Sequence, residues 1–423
     1  MTIAFQTFGC RLNRAEALDL EARLAAAGHT IIDLPSGSVP TPSGAVPDAI
    51  IVRGCSVTAK AQRDCEKAID HLRTRFPTSQ ILITGCLPSA GTDPITLKSS
   101  PSLGVSAPLR YAIPVGSVPS LSGSVPTRTS RAYLKIQDGC SGKCAFCIVP
   151  KFRGPPKSVP FDEVLSRARA FLDAGYHELV VTGCNLALYR SQGHGLADLL
   201  SALASLGTDP TDSGGTVPRH RVRLGSLEPG ICDADTLNAF ERHPNICRFI
   251  HLSLQSGSDA ILKRMNRPYA IASVAKFCAE AVSRLGSRLS LGADVITGFP
   301  GETDADHALT RSFLVRHAFS NLHVFPYSER PGTPAATMDG ALSRAVRIAR
   351  AHELESLGRQ QREAFTQTFL NQEVEVCVEQ GGTHGWTAEY LPCRLSRPHP
   401  RRSLVTVRVT AVNGDELIGT SMG

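Results

Sequence analysis

The chain has no apolar run approaching the ~18 residues that a membrane-spanning helix needs. Its opening residues, from Met1 to Cys10, carry neither the basic nor the apolar stretch of a secretion signal. There is no glycine-rich nucleotide phosphate loop, no pair of hydrolytic carboxylates, and no internal repeat at a fixed period of roughly 20–50 residues. These absences argue against a membrane partner, a phosphate-loop nucleotidase and a solenoid. Charge is not strongly one-sided either. A net charge of +7 over 423 residues permits an anionic partner without demanding one. The expected compartment is the cytoplasm, where thiols stay reduced, so the thirteen cysteines point to metal or catalysis more than to disulfides.

With 42% hydrophobic residues the chain can bury a sizeable core, and its length suits two or three domains. The first hundred residues read as strand, helix, strand, helix, strand. The strands are Ile3–Phe8, Ala49–Val52 and Ile81–Thr84. Asn13 is a candidate cap for a helix with apolar positions Ala17, Leu20, Leu24 and Ala27, ended by Gly28. Ser56 or Thr58 opens a second helix toward Arg75. Short links between alternating elements predict a parallel sheet over 1–98. Residues 99–130, rich in Ser, Pro and Gly, read as a linker, and 35–47 as a loop insertion of similar composition. From 131 to 369 the alternation resumes, with strands at Ala132–Ile136, Glu178–Thr182, Val222–Gly225, Phe249–Leu254, Leu289–Ile296 and Asn321–Pro326. Helices such as Phe161–Ala174 and Ile271–Leu285 lie between them. Six such units fit an open or partial βα barrel, followed by a long charged helix, Ala341–Phe369. Residues 370–423 alternate apolar and polar positions (Val374, Val376, Val378; Val405, Val407, Val409) and predict a small β-barrel. The expected fold class is α/β with this small β-barrel at the end.

Gly-Cys recurs at 9–10, 54–55, 85–86, 139–140 and 183–184, each time just past a predicted strand. Cys140, Cys144 and Cys147 share one loop, spaced by three and then two residues. Three thiolates hold three corners of a four-iron cluster and leave one iron open for chemistry. A zinc site is the competing reading, but it wants a fourth ligand, and the next histidine is His177. Gly139, Gly142 and Pro150 oppose a helix that would give the same spacing. Cys10, Cys55 and Cys86 each follow a different strand of one small sheet. Residues past the strand ends of an open parallel sheet share one edge, so these thiols should converge. The competing reading is buried packing cysteines.

Other strand ends offer Gly183, Asn185, Glu228, Gln255, Gly298 and Gly301. Together at one rim they suit a bound cofactor; singly each is an ordinary turn residue. Residues 128–157 carry seven basic side chains, Lys151 and Arg153 among them, against the one acid Asp138. They serve either to steer a polyanion or as counter-charges near the cysteine loop. The terminal segment has no basic excess, so RNA contact there must come from local placement of residues such as Arg394 and Arg402. His251 and His323 read as lone, structural histidines.

Taken together, these motifs resemble the radical S-adenosylmethionine methylthiotransferases over nearly the whole chain. Thr-Phe-Gly-Cys10-Arg-Leu-Asn, Gly-Cys55-Ser-Val-Thr and Thr-Gly-Cys86 are similar to the family's auxiliary-cluster domain. Cys140, Cys144 and Cys147, with Phe146 before the last, are similar to its radical domain, and the end resembles a TRAM domain used on RNA. Three branches compete: two act on tRNA, at isopentenyladenosine or at threonylcarbamoyladenosine, and one on a ribosomal-protein aspartate. Gly183–Tyr189, Arg223–Gly230 and Gly385–Leu391 resemble the threonylcarbamoyl branch. The resemblance implies two 4Fe-4S clusters, one on each cysteine triad, with S-adenosyl-L-methionine bound near Phe146, Gly183, Asn185, Glu228, Gln255 and Gly298. It implies a tRNA anticodon loop touched by Lys151, Arg153, Arg394 and Arg402, and an electron donor such as flavodoxin or ferredoxin. The chain departs from the pattern at Arg53-Gly54-Cys55, where many relatives carry Asn-Thr-Cys, and at Cys184, which is not counted as a ligand.

Overall fold

A computed structural model describes residues 1–34, 46–55, 58–86, 129–207, 219–229 and 234–422. Most of the 35–47 insertion and of the 99–130 linker, with Ser56, Arg128 and Gly230, lie outside the described residues. The first unit comprises β1 (Thr2–Thr7), α1 (Arg11–Ala26), β2 (Thr30–Ile32), β3 (Ala49–Gly54), α2 (Ala59–Arg75) and β4 (Gln80–Gly85). All four strands are parallel, in the order β2-β1-β3-β4. Ile3 and Phe5 face Ala17, Leu20 and Leu24 of α1, while Ala4, Ile50 and Val52 face Ile69 and Leu72 of α2. Burial on both faces explains why these strands read as apolar runs without alternation. β2 was not expected, because three residues are too few to set a pattern. Thr58 caps α2 by accepting the Ala61 N–H. The first helix departs from expectation: Cys10 holds the cap position, and Asn13 lies inside α1. Its amide instead donates to the carbonyls of Phe8 and Gly54, at 2.9 Å each, tying α1 to the ends of β1 and β3.

The central unit runs β5 (Ala132–Lys135), β6 (Gln137–Asp138), α3 (Val149–Arg153), β7 (Lys157–Ser158), α4 (Phe161–Asp173), β8 (Glu178–Thr182), α5 (Leu196–Ala204), β9 (Arg221–Leu224), β10 (Ser226–Leu227), α6 (Ala234–Arg242), β11 (Phe249–Gln255), α7 (Asp259–Arg264), α8 (Ile271–Leu285), β12 (Ser290–Thr297), α9 (Asp304–Arg316), β13 (Asn321–Pro326) and α10 (Arg344–Gln367). β9 pairs with β8 and its continuation β10 pairs with β11, so the chain changes partners at Gly225. The result is a parallel arc, β5-β8-β9/β10-β11-β12-β13, left open between β5 and β13 among the described residues. Outward side chains such as Leu179, Val181, Leu252 and Ala293 pack with the helices in the largest core. Inward ones face the other units. Tyr133 and Val180 take Ala15 and Leu18, so α1 lies against the inner wall of the first strands.

The last unit is a closed five-stranded barrel: β14 (Glu373–Val378), β15 (His384–Thr387), β16 (Pro392–Leu395), β17 (Leu404–Asn413) and β18 (Glu416–Ser421). Val374, Val376, Val378, Val407 and Val409 fill it, as their alternation requires. Its β15–β16 loop meets the amino ends of the arc. Arg221 and Arg223 donate to the carbonyls of Trp386, Thr387 and Ala388 while both pair with buried Glu178. Burial opposes the Glu178 charge, but Arg221 and Arg223 outweigh it and hold its carboxyl far below the usual range.

Candidate active site

Parallel register brings the first three Gly-Cys pairs together. Gly54 and Gly85 are partners at the ends of β3 and β4. Gly9 has φ of +87°, and a Cβ there would lie 2.9 Å from Cys55 Sγ, so only glycine lets Cys55 nest against the turn that carries Cys10. Cys10 is exposed at this sheet edge, whereas Cys55 and Cys86 are buried. Burial raises the Cys86 thiol, and the Arg153 guanidinium, whose Nε donates to Cys86 Sγ at 3.2 Å, opposes that rise.

Cys140, Cys144 and Cys147 lie in the loop beyond β6, at the carboxyl end of the arc. A Cβ on Gly142 would fall 3.2 Å from Cys140 Sγ and 3.7 Å from Cys144 Sγ, so two sulfurs close over one residue without a side chain. The Gly142 N–H donates to Cys140 Sγ at 3.2 Å, and Arg267 Nη1 donates to Cys144 Sγ at 3.0 Å. Burial pushes the Cys147 thiol up to about 11 and raises Cys144 against the pull of Arg267. Partial burial favours neutral thiols unless a cation compensates the thiolates.

Between the triads lies a buried ionic network. Glu16 of α1 pairs with Arg53, with Lys135 at 2.7 Å and with Arg153 at 2.8 Å. Asp138 takes Lys135 at 2.6 Å and Arg153 at 3.0 Å, and its Oδ1 accepts the Gly139 N–H. Three cations face two carboxylates, and the surplus positive charge points at Cys86. Burial opposes the Glu16 charge; Arg53, Arg153 and Lys135 outweigh it and hold the carboxyl at about 2. Arg153 therefore touches one triad and, through Asp138 and Gly139, the loop of the other. This overturns its expected place on RNA: it is buried and fully engaged at the interface between units. Lys135 is likewise internal, so part of the basic run serves as counter-charge. Cys184 joins neither triad; its thiol sits 3.3 Å from Asp138, raised by burial.

Several rim residues form one chain of contacts. Asn185 Nδ2 donates to Glu228 at 2.5 Å, Glu228 pairs with Arg267 at 3.2 Å, and Arg267 reaches Cys144. Nothing in the sequence singles out Arg267. Phe146 packs edge-on to Phe299. Gln255 ends β11 with φ of +67°, buried beside that rim. Gly183 and Gly298 answer to packing instead. A Cβ on Gly183 would meet Gln137 at 3.0 Å, and one on Gly298 would meet Arg347 of α10 at 2.4 Å, so neither position has room for a side chain. Lys151 is exposed and donates to the Gly332 carbonyl. Arg394 is exposed and paired with Glu416 at 2.7 Å. Arg402 lies 4.1 Å over the Tyr176 ring and donates to the Ala174 carbonyl, joining the small barrel to the central unit. His251 and His323 are not lone: both approach Asp294, at 3.0 and 3.2 Å.

An open parallel arc with a three-cysteine loop at its carboxyl end is the arrangement of a radical S-adenosylmethionine enzyme, and residues 134–314 match the model of the Radical SAM superfamily. Residues 2–102 match the uncharacterized protein family UPF0004. The radical S-adenosylmethionine methyltransferase TsrM from Kitasatospora setae, solved with cobalamin and a [4Fe-4S] cluster, shares the fold, with a TM-score of 0.55 at 13% identity over 79% of this chain and 77% of that one. The threonylcarbamoyladenosine tRNA methylthiotransferase MtaB of Thermotoga maritima is 30% identical, over 89% of this chain and 86% of its own length; that of Bacillus subtilis is 31% identical, over 90% and 85%. A tRNA-2-methylthio-N(6)-dimethylallyladenosine synthase from Corynebacterium efficiens is 30% identical, over 90% and 75%. The chain belongs to the radical S-adenosylmethionine methylthiotransferase family. Membership implies S-adenosylmethionine and a 4Fe-4S cluster. The loop triad fits such a cluster, with sulfurs closed over Gly142 and an arginine donating to one of them.

Proposed function

We propose that this protein is a tRNA methylthiotransferase that adds a 2-methylthio group to N6-threonylcarbamoyladenosine at position 37, beside the anticodon. The observation that carries this reading is the pair of cysteine triads on facing edges of two units, linked by Arg153. When bound, a cluster with S-adenosylmethionine at Cys140, Cys144 and Cys147 supplies the radical that attacks the unactivated adenine C2–H, and a second 4Fe-4S cluster at Cys10, Cys55 and Cys86 supplies sulfur. The donor set at the second triad suits a cluster: three thiols, one exposed, and a surplus of positive charge against anionic sulfur.

The chain's own groups then have distinct work. Arg267 steadies Cys144, and Glu228 with Asn185 offers carboxylate and amide oxygens for the amino group of S-adenosylmethionine. Phe146 and Gln255 border the same rim. Gly183 and Gly298 keep neighbouring backbone in place rather than touching ligand. Exposed Lys151 and Arg394, and half-buried Arg402, take RNA phosphates, and the final barrel serves as a TRAM-like module. Anticodon-loop bases are accessible without melting a duplex, which suits a site inside an open arc. A flavodoxin- or ferredoxin-type donor supplies the electron, in the cytoplasm. A second reading is favoured by the dimethylallyladenosine synthase at equal identity: the same chemistry on isopentenyladenosine. Mass spectrometry of tRNA nucleosides after incubation with reconstituted enzyme separates them. A methylthiolated threonylcarbamoyladenosine is expected; methylthiolated isopentenyladenosine alone would move the chain to the other branch.

A further inference from the structure

The inner wall of the arc carries a polar group that the chemistry above does not use. Along β11, β12 and β13 the outward residues Leu252, Ala293 and Leu322 pack with the helices, so His251, Asp294 and His323 face inward. Gly292 makes room for the His251 ring, whose Nδ1 would lie 2.5 Å from a Cβ there. Asp294 is registered opposite His323; its Oδ1 is within hydrogen-bond distance of His323 Nδ1, at 3.2 Å, and lies 3.0 Å from His251 Nε2. His251 is buried, but the His323 side chain is 49% exposed and its inward neighbour Phe325 is 40% exposed, so open space lies in front of β13.

Arg11 reaches the same interior from the start of α1, directly after Cys10. Its Nη1 lies 3.4 Å from the Leu224 carbonyl and its guanidinium sits 5.1 Å over Tyr390. Tyr390 packs on Phe249, and Phe249 on His251, at ring distances of 4.9 and 5.8 Å. The neighbouring interior cations Arg131, Arg153, Arg221, Arg223 and Arg267 each have a carboxylate within 4.0 Å. No acidic group among the described residues stands at that distance from Arg11.

We propose that Arg11 is the counter-ion for the carboxylate of the adenosine's N6 substituent, with His323, oriented by Asp294, as a second polar contact to that substituent. This rests on the function proposed above and goes on to name how that substrate is told from an apolar one. A threonylcarbamoyl group brings one carboxylate, a hydroxyl and a urea; an isopentenyl group brings none of these. A guanidinium lacking an acidic partner selects for the former, and an apolar substituent would leave its charge without an anion.

Binding by reconstituted full-length protein tests this with two anticodon stem-loops, one carrying N6-threonylcarbamoyladenosine and one carrying its neutral threonine carboxamide. Wild type should bind the acid about tenfold or more tightly than the amide. Arg11→Gln should lose that preference by weakening the acid alone, Arg11→Lys should keep part of it, and His323→Ala should weaken both RNAs. Iron content and absorbance near 400 nm check each variant's clusters. Equal binding of acid and amide by wild type, or an unchanged preference in Arg11→Gln, overturns the Arg11 assignment. One equivalent of zinc lost in His323→Ala overturns the His323 assignment, because the three side chains would then be metal ligands. Wild-type turnover of the acid RNA tests the function separately from either residue.

Discussion

The two cysteine triads are built in opposite ways. Cys140, Cys144 and Cys147 come from a single loop, and their spacing is written in eight consecutive residues. Cys10, Cys55 and Cys86 come from three strand ends and meet only because β1, β3 and β4 are parallel and in register. Each triad has an arginine on one sulfur, Arg267 on Cys144 and Arg153 on Cys86. Arg267 belongs to the same unit as its cysteine. Arg153 comes from α3 of the central unit and crosses to the first. The loop triad is thus self-contained, whereas the sheet-edge triad is completed by docking of one unit on the other.

The largest effect should come from removing ligands. Cys140→Ala is expected to abolish 5′-deoxyadenosine formation and methylthiolation together. Cys55→Ala should keep S-adenosylmethionine cleavage and lose only sulfur transfer. Anaerobic reconstitution should give about eight irons per wild-type chain and about four in either variant. About four in the wild type would sink the two-cluster reading.

Arg153→Met attacks the asymmetry itself. It removes one cation from a buried network, which typically costs about 3–5 kcal/mol, read from chemical denaturation. Iron should be lost first from the sheet-edge triad, leaving the loop triad able to cleave S-adenosylmethionine. Equal loss from both triads would show that docking does not distinguish them. The network also has a pH signature of roughly 3 kcal/mol. Glu16 is held at about 2 against an ordinary 4.5. Its contribution is fully present above pH 4.5. As pH falls, the unfolded chain takes a proton that the folded chain refuses until about pH 2, and stability is lost across that window. Glu16→Gln should flatten this part of the stability profile; identical slopes in wild type and variant would remove Glu16 from the account.

The same contrast explains what the sequence makes legible. The cysteine loop, the strand ends and most strand limits depend on local pattern, and Glu178–Thr182, Asn321–Pro326 and Ile271–Leu285 fall where periodicity puts them. Convergence of the three Gly-Cys pairs follows once the sheet is read as parallel. Tertiary pairing is what pattern misses. Arg153 sits in a basic run and reads as surface, because its partner Glu16 is 137 residues away. Asn13 has the composition of a cap but finds carbonyls at Phe8 and Gly54. His251 and His323 are far apart in the chain, and only the register of β11, β12 and β13 sets them about Asp294.

The smallest expected effect concerns the exposed cations. Single-stranded RNA contacts contribute roughly 0.7 log unit of affinity per log unit of salt for each phosphate neutralised. Arg394 is half exposed and already shares Glu416. Arg394→Ala should therefore lower the salt slope by at most about 0.7 and weaken binding uniformly across RNAs. Arg153→Gln should leave the slope unchanged, because its charge is buried between the units. The pair of slopes separates basic residues that meet RNA from those that hold the triads together. A steeper loss of slope in Arg153→Gln than in Arg394→Ala would reverse that division and return Arg153 to the RNA surface.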